Sequence, residues 1–100
     1  MWFITVFEKW EKDDRGWYEH GWWRTWGYYS DHDRALAALH ENRTDMHEYC
    51  YFYAVLEKLG EGLMPRLESV QWFKFDVERN GYFEIEMPEG ADTREAFALG

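Results

Sequence analysis

The chain lacks most of what marks a secreted, membrane-bound or catalytic scaffold. It has one cysteine, Cys50, in 100 residues, which excludes an internal disulfide. Two prolines and eight glycines, without a repeat or a low-complexity tract, confine disorder to the ends. Bases are scarce. The 11 Lys and Arg against 20 Asp and Glu give a net charge of −9, which repels a phosphate backbone and argues against direct nucleic-acid binding. No apolar run approaches the roughly 20 residues of a membrane span, and Met1–Phe7 has no basic stretch of the kind that opens a signal peptide. The expectation is a cytoplasmic protein that stays off the membrane. Glycine-rich phosphate loops, a G-x-S-x-G elbow and an H-E-x-x-H helix are all missing, and no cofactor is expected.

Rings are what the chain has in excess. Aromatics make up 21% of it and hydrophobic residues 46%, ample for the single core of one domain spanning residues 1–100. Seven of the rings fall within the sixteen residues 16–31, "GWYEHGWWRTWGYYSD".

The pattern predicts an α+β domain with the order β-β-α-β-β-β: a mostly antiparallel sheet of four to five strands, with one helix on one face. Trp2–Glu8 is apolar on both faces and reads as a central strand, joined in a hairpin to a second run from about Trp22 to Tyr29. The charged stretch 9–15, closed by Gly16, reads as a loop. Ser30 with Asp33 makes a weakened capping box ahead of a helix over 31–41, with Leu36 and Leu39 on its inner face. Residues 44–50 are open to helix or strand, while the tyrosines of 49–56 favour a strand. Ser69–Glu78 and Tyr82–Met87 alternate as strands, and 90–100 is a short helix or a frayed tail.

The last hairpin, "FKFDVERNGYFEIEM", permits an argument about register. Phe73, Phe75 and Val77 alternate with charges, as do Phe83, Ile85 and Met87. A loop of Arg79-Asn80-Gly81, with Gly81 left-handed in a bulge, pairs Val77 with Phe83 and Phe75 with Ile85. The opposite face then carries Asp76, Glu78, Glu84 and Glu86 as an acidic ladder beside Trp72. Like charges across a strand pair destabilise it. The ladder is therefore either solvated or a docking face for a basic partner, with Trp72 as its apolar anchor.

Other groupings are weaker. His40, His47 and Cys50 invite a metal, but they lack the close ligand pairs of zinc sites and read as two surface histidines and a buried thiol. Glu8, Asp13 and Asp14 have no nucleophile or base at a recognisable spacing and read as solvated charge. The aromatic stretch offers a platform of Trp17, Trp22, Trp23 and Trp26 with Arg24, able to stack a planar ring or a sugar.

The segments "RTWGYYSD", "ALHEN", "TDMHEYCYFYAV" and "WFKFD…RNGYFEIEMPE" resemble a family of small uncharacterised proteins of Gram-positive gut bacteria, their phages and mobile elements, over residues 2–89. The resemblance implies no activity and no site residue. It implies a genomic setting in which small acidic proteins include inhibitors of host defence. The expectation is a non-enzymatic acidic interaction domain that occupies a basic groove of a nucleic-acid-handling defence protein. A small-molecule site on the aromatic platform and a self-associating structural homodimer are the alternatives.

Overall fold

The computed structural model describes residues 1–91 and 96–98. Strands β1 (Trp2–Phe7), β4 (Trp23–Tyr29), β5 (Tyr53–Leu59), β6 (Leu67–Asp76) and β7 (Gly81–Ile85) form one antiparallel sheet in the order β4-β1-β5-β6-β7. Two two-residue strands, β2 (Glu11–Lys12) and β3 (Tyr18–Glu19), make a separate arm, β2 within the stretch 9–15 that reads in the sequence as a loop. Helix α1 (His32–His40) and a 3₁₀ segment, η1 (Arg43–Tyr49), cover the front of the sheet. The fold is α+β, and β1 sits between β4 and β5 because its residues are apolar on both sides.

Helix α1 is capped one residue later than the sequence suggests. Asp31, not Ser30, is extended (φ −120°), and its carboxylate accepts from the Asp33 N–H at 3.3 Å. Ala35, Ala38 and Leu39 are buried against Ile4, Val6, Ala54, Leu56, Phe73, Phe75 and Tyr82. The helical spacing of the three meets the period-two spacing of the strands, and this contact is the front core.

The back of the sheet is covered as well. Phe7, Val55, Trp72 and Ala91 form a second core, flanked by Trp10, Trp23, Tyr53, Val70, Ile85 and Phe97. The arm and the C-terminal segment supply this cover. Trp10 Nε1 donates to the Glu89 carbonyl at 2.8 Å, and Gly90 (φ +84°) lies so close to the Tyr18 ring that a Cβ there would stand 2.2 Å from it. Phe97 packs 5.0 Å from Phe7 and 5.7 Å from Trp72, ring centre to ring centre. Thus Phe97 and Ala98 are docked and do not fray; residues 92–95 and 99–100 of the expected terminal element lie outside the described residues.

The last hairpin differs from the register the alternation suggests. Phe75 faces Tyr82, Lys74 faces Phe83 and Asp76 faces Gly81, so the loop is Val77–Asn80. Asn80, not Gly81, is left-handed (φ +50°). Asp76 closes the loop by accepting from the Arg79 N–H at 3.1 Å and from Arg79 Nε at 2.9 Å. The shift leaves Val77 79% exposed but buries Tyr82 completely, with its hydroxyl donating to the Tyr51 carbonyl. A buried aromatic removes about 150–250 Å² from water, more than valine can, so the tyrosine sets the register.

Candidate interaction sites

The shift in the last hairpin dismantles the acidic docking face. Trp72 is 2% exposed, stacked 5.5 Å from Phe7 and edge-on to Trp10 at 5.1 Å. It is back core and cannot anchor a partner. Asp76 is engaged by Arg79, which holds its carboxyl below the ordinary range, first through the backbone N–H and then through the guanidinium. Glu78 lies in the loop, and Glu86 lies beyond the end of β7. Glu84 moves to the front, opposite Phe73, where it accepts from Gln71 Nε2 at 3.3 Å. The four carboxylates form no ladder.

The aromatic platform is divided too. A bulge inserts Trp26 between the pairs Ile4↔Gly27 and Thr5↔Thr25, so strict alternation fails midway along β4. Trp26 joins the front core and Trp23, an odd number of residues away, packs into the back core 6.3 Å from Phe7, while the bulge reverses the faces of Gly27, Tyr28 and Tyr29. Trp17 and Trp22 stay exposed, Trp17 in the loop of the arm and Trp22 just ahead of β4. Of the five platform residues only Arg24 and Trp26 are brought together as a stacked pair, the guanidinium 5.5 Å from the ring centre.

Trp26 instead belongs to a different constellation. Its Nε1 donates to Thr44 Oγ1 at 2.6 Å, and Tyr49 and Tyr51 pack at 5.3 and 5.6 Å. The η1 region holding Thr44 is backbone-strained: Asn42, Thr44, Asp45 and Cys50 all have φ between +48° and +69°. Between η1 and β4 lies a cavity of about 260 Å³, bordered by Trp26, Gly27, Tyr29, Arg43 and Met46.

The histidines are ring partners. His40 stacks on Phe83 at 4.6 Å and His47 on Phe75 at 3.8 Å. Cys50 is exposed, not a buried small hydrophobe, because the left-handed end of η1 turns it outward. Among the described residues no group of three or more His, Cys, Asp or Glu is placed to hold a metal ion. Asp13 is tied up in its own loop. It accepts from the Trp17 and Arg15 N–H groups at 2.9 Å each and from the Arg15 guanidinium, which together hold its carboxyl below the ordinary range.

Two features escape the sequence reading. The first is the β5–β6 loop. Leu63 is 99% and Met64 96% exposed, at the tip of a turn containing Gly62 (φ +113°) and Met64 (φ +47°). Beside the tip runs a groove of about 580 Å³ lined by Met1, Phe3, Leu59, Gly60, Glu61, Gly62 and Pro65. Phe3 in turn lies 5.6 Å from the exposed ring of Tyr28, so apolar surface continues from the loop onto β4. The signal was present in "GEGLMPR": two large apolar residues among turn formers that offer no core to enter.

The second is Glu57. It is fully buried in β5 on the back of the sheet, in phase with Tyr53, Val55 and Leu59. Its Oε1 accepts from the Phe97 and Ala98 N–H groups at 3.1 and 2.9 Å, and its Oε2 from Phe97 at 2.9 Å. Burial pushes its carboxyl above the ordinary 4.5, and the two backbone donors offset only part of this. A glutamate at an inward position of an apolar strand was the available sign.

No family model, no curated protein and no solved structure matches the chain. Among the described residues no helix is long and apolar enough to cross a membrane.

Proposed function

We propose that this chain acts by binding another protein and not by catalysis, and that the contact is made by the β5–β6 loop tip and its groove. One observation carries the reading: Leu63 and Met64, adjacent in the loop, are almost wholly in water, and their loop borders a groove lined by Met1, Phe3, Leu59 and Pro65. Single exposed hydrophobes need no explanation, but a continuous apolar surface is costly to keep in water and is typical of contact sites. Methionine adapts to irregular partner surfaces, as recognition surfaces require. Glu61 belongs to the groove and the whole chain carries −9, so the fitting partner has an apolar socket bordered by basic groups. Charge of this kind mainly accelerates and selects encounter. A basic groove of a host-defence protein, in the genomic setting that the resemblance implies, is one such partner.

Affinity capture with the wild type and with the Leu63→Ser, Met64→Ser double variant tests the proposal. The expected result is a protein retained by the wild type, weakened by salt and lost from the variant. Retention that ignores the loop substitutions overturns it. A dimer by sedimentation that the double variant abolishes, with nothing else retained, would assign the same surface to self-association.

A further inference from the structure

The cavity between β4 and η1 opens over Gly27. Gly27 lies inside a strand, opposite Ile4, and its φ is not in the left-handed region. A Cβ built there would meet nothing within 4 Å. Neither backbone conformation nor crowding requires glycine at this place. Yet a glycine within a strand is unfavourable by roughly 0.5–1 kcal/mol relative to alanine. Glycine inside a strand marks a bulge, a tight bend, or the close approach of a ligand or another backbone. The bulge at Trp26 adjoins it, but the extra residue is the tryptophan, and Gly27 itself pairs with Ile4 without a left-handed torsion.

The walls have a definite chemistry. Trp26 is fixed by its bond to Thr44, so its ring is held in place before anything binds. Tyr29 and Met46 add an aromatic and a polarisable surface. Arg43 stands at the exposed rim, donating to the Tyr29 hydroxyl at 3.4 Å and paired with Glu41. A guanidinium carries five N–H donors in a plane; Glu41 and Tyr29 take one each, and the remaining donors can take a further carboxylate. Strained backbone persists where surrounding structure demands it, and here it holds Arg43 and Thr44 over the opening. At about 260 Å³ the cavity is below the range of about 300–1,000 Å³ typical of drug-sized ligands, so the occupant is small.

We propose that this cavity binds a small planar aromatic acid, its ring against Trp26 and Tyr29 and its carboxylate on Arg43. The site is independent of the loop tip at Leu63 and Met64.

Titration of the full chain with benzoate, nicotinate and indole-3-carboxylate, each beside its neutral amide, provides the test by two-dimensional NMR. The expected result is saturable movement of the Gly27 amide and Trp26 indole N–H signals by at least one acid. Binding should fall about tenfold for the matching amide, and likewise for Arg43→Gln. Gly27→Val should abolish it while melting at or above the wild-type temperature, with Gly27→Ala as the milder variant. The proposal is overturned if none of the acids moves those signals, or if Gly27→Val binds as the wild type does. It is equally overturned if both Gly27 variants unfold, since the glycine would then serve the backbone.

Discussion

The carbonyl oxygen of His40 lies 1.9 Å from where a Cβ on Gly81 would stand. The end of α1 thus rests on the first residue of β7, and glycine is needed there for space and not for its φ. Backbone cannot move aside as a flexible side chain can. Gly81→Ala should therefore destabilise the fold by about 1–3 kcal/mol, the usual cost of overpacking. Asn80→Gly, at the left-handed position, should be close to neutral. Urea unfolding of Gly81→Ala beside Gly81→Asn separates this from a glycine chosen for its torsion: crowding costs both variants stability, whereas a torsional role would spare Gly81→Asn.

Phe97 tests whether the C-terminal segment belongs to the core. Its ring meets Phe7, Trp10 and Trp72. Phe97→Ala should cost about 2–4 kcal/mol, somewhat below the 3–5 of a fully enclosed phenylalanine. A midpoint within error of wild type would show that the back face does without its strap.

Glu57 makes the same docking sensitive to pH. Its carboxyl is raised in the folded protein above the ordinary 4.5. Below about 4.5 it is protonated folded and unfolded, and its burial carries no charge penalty. As pH rises through the folded value, the unfolded chain ionises more readily, and the contribution to stability is lost. Stability at this site therefore falls from mildly acidic towards neutral pH, and Glu57→Gln should flatten that dependence. The amide variant also turns a donor towards the Phe97 N–H, so faster hydrogen exchange at Phe97 and Ala98 should accompany it. An unchanged pH profile in Glu57→Gln would refute the assignment.

Thr44 holds φ +64° with a β-branched side chain, the poorest fit to the left-handed region. Thr44→Asn keeps an acceptor within reach of Trp26 Nε1 and suits the torsion. It should raise stability by up to about 1 kcal/mol, within the 1–3 stored at such positions. A lower melting temperature would show that the threonine hydroxyl outweighs the strain.

The loop tip should be neutral to folding. Leu63→Ser with Met64→Ser removes side chains already in water, so the unfolding free energy from urea titration should change by less than about 0.5 kcal/mol. A larger loss would mean that the tip supports its own groove.

The α+β class, the order of the main elements, the β1–β4 hairpin and the helix near residues 31–41 were legible in the sequence. Each rests on local pattern: two-sided apolar character in β1, alternation in β6, and a run of helix formers in α1. Tertiary structure decided the rest. Alternation in "FKFDVERNGYFEIEM" is compatible with more than one register, and the choice fell to Tyr82, which reaches the Tyr51 carbonyl, and to Gly81, which clears His40. The aromatic run divides between two cores, Trp23 against Phe7 at the back and Trp26 at the front, where Thr44, 18 residues away, gives its indole a partner. Glu57 is buried because backbone donors 40 and 41 residues further on complete its shell. Propensity and period act over a few neighbours, whereas register, burial of charge and the fate of surplus rings depend on contacts between distant parts of the chain.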